Sequence, residues 1–154
     1  DPENRSRAYL WAVDYAEAPE VPDSEYPFWL ITGRVIEHFH TRTKTKRIAQ
    51  LHEMVPENYV EISPADAESL GVATGDLVRM TTRRGEIQVR ARVTDTVVPG
   101  QVFTTMHFGD IDPVDVAENG GRLVNANRLT INWVDRDCKQ PIYKHCAVRL
   151  AKAG

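Results

Sequence analysis

The stretch Thr32-Gly33-Arg34-Val35-Ile36-Glu37-His38-Phe39-His40-Thr41 holds the densest set of chemically capable side chains in this chain. It follows an apolar run, Tyr26-Pro27-Phe28-Trp29-Leu30-Ile31, that reads as a buried strand. A glycine one residue beyond such a strand lets the backbone turn sharply and come close to a ligand. Arg34, His38, His40, Thr41 and Thr43 set cationic and hydroxyl groups beside that turn, a combination suited to phosphates. Arg42, Lys44, Lys46 and Arg47 follow, either as a positive rim to the same site or as an ordinary solvated face.

Other combinations are weaker. His38 and His40 are two apart and on a strand would share one face. A third metal ligand is not adjacent, although His52 or His107 could be folded in, and no metal site is expected. Asp110, Asp112, Asp115 and Glu118 with Gly120-Gly121 lack the ligand order of a calcium loop, so residues 109–126 are expected to form a flexible surface insertion. Cys138 and Cys146 fit no zinc spacing and read as ordinary thiols, Cys146 as a small core residue. The chain has no Gly-x-Ser-x-Gly elbow, His-Glu-x-x-His helix, Walker loop or Gly-x-Gly-x-x-Gly turn. What remains is a binding module for a large anionic cofactor. Such a module needs donors for phosphates, amide groups such as Asn127 to read ring edges, a further cation such as Lys144, and a rigid scaffold.

The scaffold is legible in the periodicities. The chain has 154 residues, enough for one domain with a hydrophobic core. Its formal net charge of −3 argues against a general nucleic-acid binder. No apolar run approaches the ~20 residues of a membrane-spanning helix. The first residues, Asp1-Pro2-Glu3, suggest a processed product or a piece of something longer. Residues 1–25 read as an arm with strand character over Arg7–Val13 and then an acidic, proline-bearing linker. Residues 26–154 form the domain proper. Ile48, Leu51 and His52 suit a short helix, and Tyr59–Ile62 a strand. Ser63, Pro64, Asp66 and Gly71 mark a capped helix. Strands follow at 77–82, 87–93 and 101–104, the second alternating apolar and polar, and a last one at 143–150. Short strands at regular turns with one or two helices argue for a mainly β fold closed as a barrel.

Four pieces of the chain resemble a known family. They are Glu25–Leu30 running into Thr32–Thr41; Ser63–Ala67 with Gly75-Asp76 and Arg83–Glu86; Asn127–Thr130; and Tyr143-Lys144 with Cys146–Leu150. Together they resemble the C-terminal, molybdopterin-dinucleotide-binding domain of molybdenum oxidoreductases of the dimethyl-sulfoxide-reductase family. Within it the first piece is most similar to catalytic subunits of bacterial nitrate reductases, with formate dehydrogenases the near competitor.

The resemblance implies a double-psi β-barrel that helps to hold bis(molybdopterin guanine dinucleotide) with molybdenum. It implies cofactor contacts from Thr32, Gly33, Arg34, Val35, Glu37, His38, His40, Thr41, Asn127 and Lys144, and places His107 near the substrate funnel. Met106–Gly109 leans toward the assimilatory type, and the compartment, cytoplasmic or periplasmic, stays open. The family's 4Fe-4S motif and molybdenum ligand lie upstream in the parent protein. The partners implied are therefore the upstream domains of the same polypeptide, and the piece alone is not expected to turn over substrate. A stand-alone barrel with an interaction role is the alternative of another class.

Overall fold

Alternation is what closes this molecule. In the strand Glu86–Val93 the side chains of Ile87, Val89 and Ala91 are buried, while Arg90 and Arg92 point out. Each strand that obeys this pattern has one apolar face, and six of them bury those faces together only by curling into a barrel. The computed structural model describes residue 8 and residues 10–154. Its strands are β1 Phe28–Gly33, β2 Tyr59–Ile62, β3 Leu77–Thr81, β4 Glu86–Val93, β5 Gln101–Thr105 and β6 Cys146–Lys152. They close in the order β1-β5-β2-β4-β3-β6. The pairs β1/β5 and β2/β4 are parallel and the rest antiparallel, with Thr32 opposite Thr104 and Val60 opposite Ala91. The mainly β architecture with short helices, a double-psi β-barrel, is the one the resemblance implies. Leu30, Val60, Ile62, Val78, Met80, Ile87 and Val102 fill it with no exposed surface. Each such side chain contributes about 1.5–3 kcal/mol on burial.

The helices are α1 Ala49–Met54, α2 Pro64–Leu70 and α3 Pro113–Glu118. Helix α2 begins where Ser63 accepts the Asp66 N–H and ends on Gly71 at φ 63°, as its sequence signals require. Helix α3 corrects the expectation of a flexible insertion. Asp112 caps it by accepting the Val114 N–H, Pro113 opens it, and Asp115 and Asn119 are buried against the domain.

Two more expectations are revised. The last strand starts at Cys146 and not at 143, because Tyr143 turns its carbonyl to the Thr32 hydroxyl (2.9 Å). No strand forms over Ala8 or residues 10–13; Arg7 and Tyr9, the rest of that expected strand, lie outside the described residues. The linker is strapped to the barrel. Glu20 accepts two bonds from Arg84 (2.6 and 2.8 Å) and one from the Ala147 N–H (2.7 Å). Asp23 accepts the Tyr26 and Glu25 amides and pairs with Arg83. Both cysteines are free, Cys138 exposed and Cys146 buried, and burial pushes the Cys146 thiol up to about 11.

Candidate functional site

Because β1 and β5 run parallel as neighbours, the loops that follow them leave the barrel at the same end. The pairing extends past the strands: the Met106 N–H donates to the Gly33 carbonyl at 3.0 Å. Gly33 itself has ordinary strand φ. A Cβ there would stand 2.5 Å from the Phe103 ring. The glycine is therefore demanded by close packing, where the sequence suggested a turn toward a ligand.

His107 reaches from the second loop into the first. Its Nε2 accepts the Val35 N–H at 2.9 Å, so the hydrogen resides on Nδ1, which donates to the His40 carbonyl. Burial holds its pKa below the usual histidine value, with His38, Arg34 and Arg42 adding to the effect. His38 is buried as well. Its Nε2 donates to the Val55 carbonyl (2.7 Å) and its Nδ1 accepts from Thr45 (3.1 Å), so neither ring nitrogen is left for a ligand. Burial depresses its pKa too.

The cationic run divides. Arg42, at φ 64°, is 1% exposed. Its guanidinium lies over the Phe108 ring (4.1 Å) between Asp115 (3.9 Å) and Glu118 (4.0 Å). It donates to His52 Nδ1 at 3.0 Å, which leaves the His52 hydrogen on Nε2, 3.4 Å from Glu118. Lys46 is held by Asp112 (3.0 Å) and Asp115 (3.1 Å), and the Asp112 bond leads in raising its pKa. Half of the expected rim is thus spent inside the protein on α3. Lys44 and Arg47 remain outward.

Between the two loops lies a cleft of about 300 Å³. Thr41, Thr43, Arg47, His107, Asn125 and Asn127 are among its walls. Of the sequence-predicted residues, Thr41, Asn127 and His107 meet there. Arg34 is exposed and close enough to His107 to influence its charge, and Lys144 is exposed next to Tyr143, which Thr32 bonds. Neither Arg34 nor Lys144 lines the cleft, nor do Glu37 and Val35, both half-buried.

Three positioning groups escaped the sequence reading. Asp110 accepts the Val124 and Asn125 amides (2.7 and 3.0 Å) and Arg128 Nε (2.5 Å). Asn125 in turn accepts the Asn127 N–H at 2.9 Å, which sets Asn127 at the cleft. Asn58 donates to the Val124 carbonyl (2.7 Å) and accepts from Tyr59, Thr104 and Thr105. Asp112-Pro113 repeats the cap-then-proline signature of Ser63-Pro64 and was the available clue to α3.

Comparison with known proteins matches residues 28–147 to the family described as the molydopterin dinucleotide binding domain. This chain belongs to that family. An F420-dependent formate dehydrogenase subunit alpha of Methanocaldococcus jannaschii is 40% identical over 149 residues, 97% of this chain and 20% of the relative. A nitrate reductase of Symbiobacterium thermophilum is 44% identical over 149 residues, 96% of this chain and 18% of the relative. The chain therefore spans about a fifth of the length of these curated relatives. Acetylene hydratase from Pelobacter acetylenicus shares the fold, with a TM-score of 0.68 over 84% of this chain and 19% of that one, at 18% identity.

The donor set at this end of the barrel fits the family's ligand. Thr41, Thr43 and Arg47 line the cleft and Arg34 and Lys144 stand exposed outside it, groups suited to phosphates. Asp110, Asp112 and Asp115 line it too, tied to Arg128, Lys46 and Arg42, and the exposed Asn127 amide offers both a donor and an acceptor. Among the described residues, no group of three or more His, Cys, Asp or Glu side chains is placed to hold a metal ion. No described helix is long and apolar enough to cross a membrane.

Proposed function

We propose that this chain is the cofactor-binding domain of a nitrate reductase catalytic subunit. In this reading it grips part of bis(molybdopterin guanine dinucleotide) within a longer polypeptide whose other domains carry a 4Fe-4S cluster. The observation that supports it is the convergence of Thr41, Asn127 and His107 on one cleft at the end of the barrel from which the 34–45 loop emerges. Arg34, Arg47, Thr41 and Lys144 bind phosphates, and Asn127 orients a ring edge. Thr32, Val35, His38 and His107 hold the loop, and Gly33 admits Phe103 behind it. Bound molybdenum cofactor supplies two-electron oxygen-atom transfer; the protein's share is binding, orientation and exclusion of water.

The nitrate assignment draws on the Glu25–Thr41 piece and on the nitrate reductase relative at 44% identity. Formate oxidation is the second reading, favoured by the F420-dependent relative at 40% over the same length. Assaying the full-length enzyme with nitrate and with formate separates them: nitrate turnover is expected, and formate turnover alone overturns it. Arg34→Ala in that enzyme is expected to lower molybdenum and guanine nucleotide content several-fold. Unchanged content would remove Arg34 from the site.

A further inference from the structure

The loop 34–41 has an unusual support. It makes no ladder bonds of its own beyond Gly33, and His40 sits at φ 45°, a left-handed conformation that few non-glycine residues adopt. The surroundings here are the residues just past β5. The Met106 amide takes the Gly33 carbonyl at 3.0 Å. The next residue, His107, takes the Val35 N–H with one ring nitrogen (2.9 Å) and gives the hydrogen of the other to the His40 carbonyl. One imidazole thus spans the two ends of the loop. It is 2% exposed and stands edge-on to His38 at 6.1 Å, so its own rotamer is fixed by packing.

We propose that His107 is a positioning residue for cofactor binding, a neutral cross-brace whose two ring nitrogens set the shape of the 35–40 loop and so the directions in which Arg34 and Thr41 face. The inference rests on the cofactor reading above but concerns a residue that touches the loop, not the reacting atoms. The brace requires the neutral ring. A second proton would place a donor at Nε2 against the Val35 N–H, itself a donor. Burial disfavours that proton most, and His38, Arg34 and Arg42 from the first loop add to it, while the His40 carbonyl that accepts from Nδ1 works the other way without outweighing them. Lys46, Arg47, Asp110, Asp112 and Asp115 are the charged groups of the adjoining cleft.

The test uses the full-length polypeptide, with and without cofactor, and follows hydrogen exchange of peptides covering 33–41. His107→Phe keeps a ring and loses both bonds; His107→Gln keeps an acceptor and a donor. The Val35 amide is expected to exchange at least about tenfold faster in the Phe variant and within about threefold of the parent in the Gln variant. Molybdenum and guanine nucleotide content should fall only in the former. Parental exchange in His107→Phe, or equal loss in both variants, overturns the brace.

Should the Phe variant not fold, the parent protein still decides. Val35 protection, corrected for intrinsic exchange, is expected to fall as pH drops below roughly 6.5, the ordinary histidine value. Constant protection down to about pH 4.5 overturns the proposal. Exchange in the cofactor-free form reads the brace alone. An intact brace in a polypeptide that never acquires cofactor would refute the functional reading and with it the role of His107 in cofactor binding, whereas a missing brace overturns this inference alone.

Discussion

The two ends of the barrel follow different rules. At the end bearing α2, left-handed backbone is given to glycine: Gly71 at φ 63°, Gly75 at 93° and Gly100 at 82°. Turns are short, caps are satisfied locally, and Asp66 ties two of them by accepting from Ser63 and from the Gly100 amide. At the end bearing the cleft, Gly120 (φ 61°) and Gly121 (φ 75°) follow the same rule, but His40 and Arg42 take left-handed φ without being glycine. A guanidinium is buried there with its Nε lacking a partner among the described residues. Apolar side chains such as Ile36, Phe39 and Ile111 stand in the open. The first end obeys local rules and supplies rigidity. The second departs from them where side chains must be held in directions that local preference would not choose.

The contrast can be broken most severely at Asp115. Asp115→Ala strips Arg42 of a carboxylate within the domain, and removing one partner of a buried pair costs about 3–5 kcal/mol. Urea unfolding should show this, and a loss under 1 kcal/mol would mean that Glu118 alone suffices to balance Arg42. Next comes Gly33→Ala. The new Cβ meets the Phe103 ring, so overpacking should cost about 1–3 kcal/mol. Adding Phe103→Leu should recover most of it; no recovery would show that backbone freedom, not packing, requires the glycine.

A smaller pair of changes carries opposite signs. Gly75→Ala forces a side chain into left-handed backbone and should destabilise by about 1 kcal/mol. His40→Gly relieves the same strain and should stabilise by up to about 1 kcal/mol while loosening the 34–41 loop. Equal signs in thermal unfolding would erase the distinction between the ends.

The gentlest effect is on pH. The folded-state values of His38 and His107 lie below 6.5, so the unfolded chain binds protons first as pH falls. Stability should be full above about 6.5 and decline below it. Replacing both histidines should flatten that slope, and a slope unchanged in the double variant would place its source elsewhere.

How far the sequence could be read divides along the same line. Helix α2 was legible because Ser63, Pro64, Asp66 and Gly71 act on neighbours within one turn, and β4 because alternation needs only its own residues. Closure into a mainly β barrel followed from the number and spacing of such strands. Arg42 read as a rim cation because the groups that bury it, Phe108, Asp115 and Glu118, lie more than sixty positions away in the chain. His107 was singled out through family likeness, yet its use of both ring nitrogens depends on the neighbourhood of β1 and β5, which no local pattern reveals. Asp110 read only as one acid of an irregular stretch and Asn58 went unnoticed, since the backbone groups each satisfies are brought near only by the fold.

The placement of β6 has a consequence for assembly. This strand, last in chain order, is the one that fits between β1 and β3. Without it those two strands would present unpaired edges, and the β1/β5 pairing is itself long-range, joining positions some seventy apart. The barrel wall is therefore complete only with Cys146–Lys152 in place, so a chain cut short before Cys146 would have an open sheet where the closed wall stands.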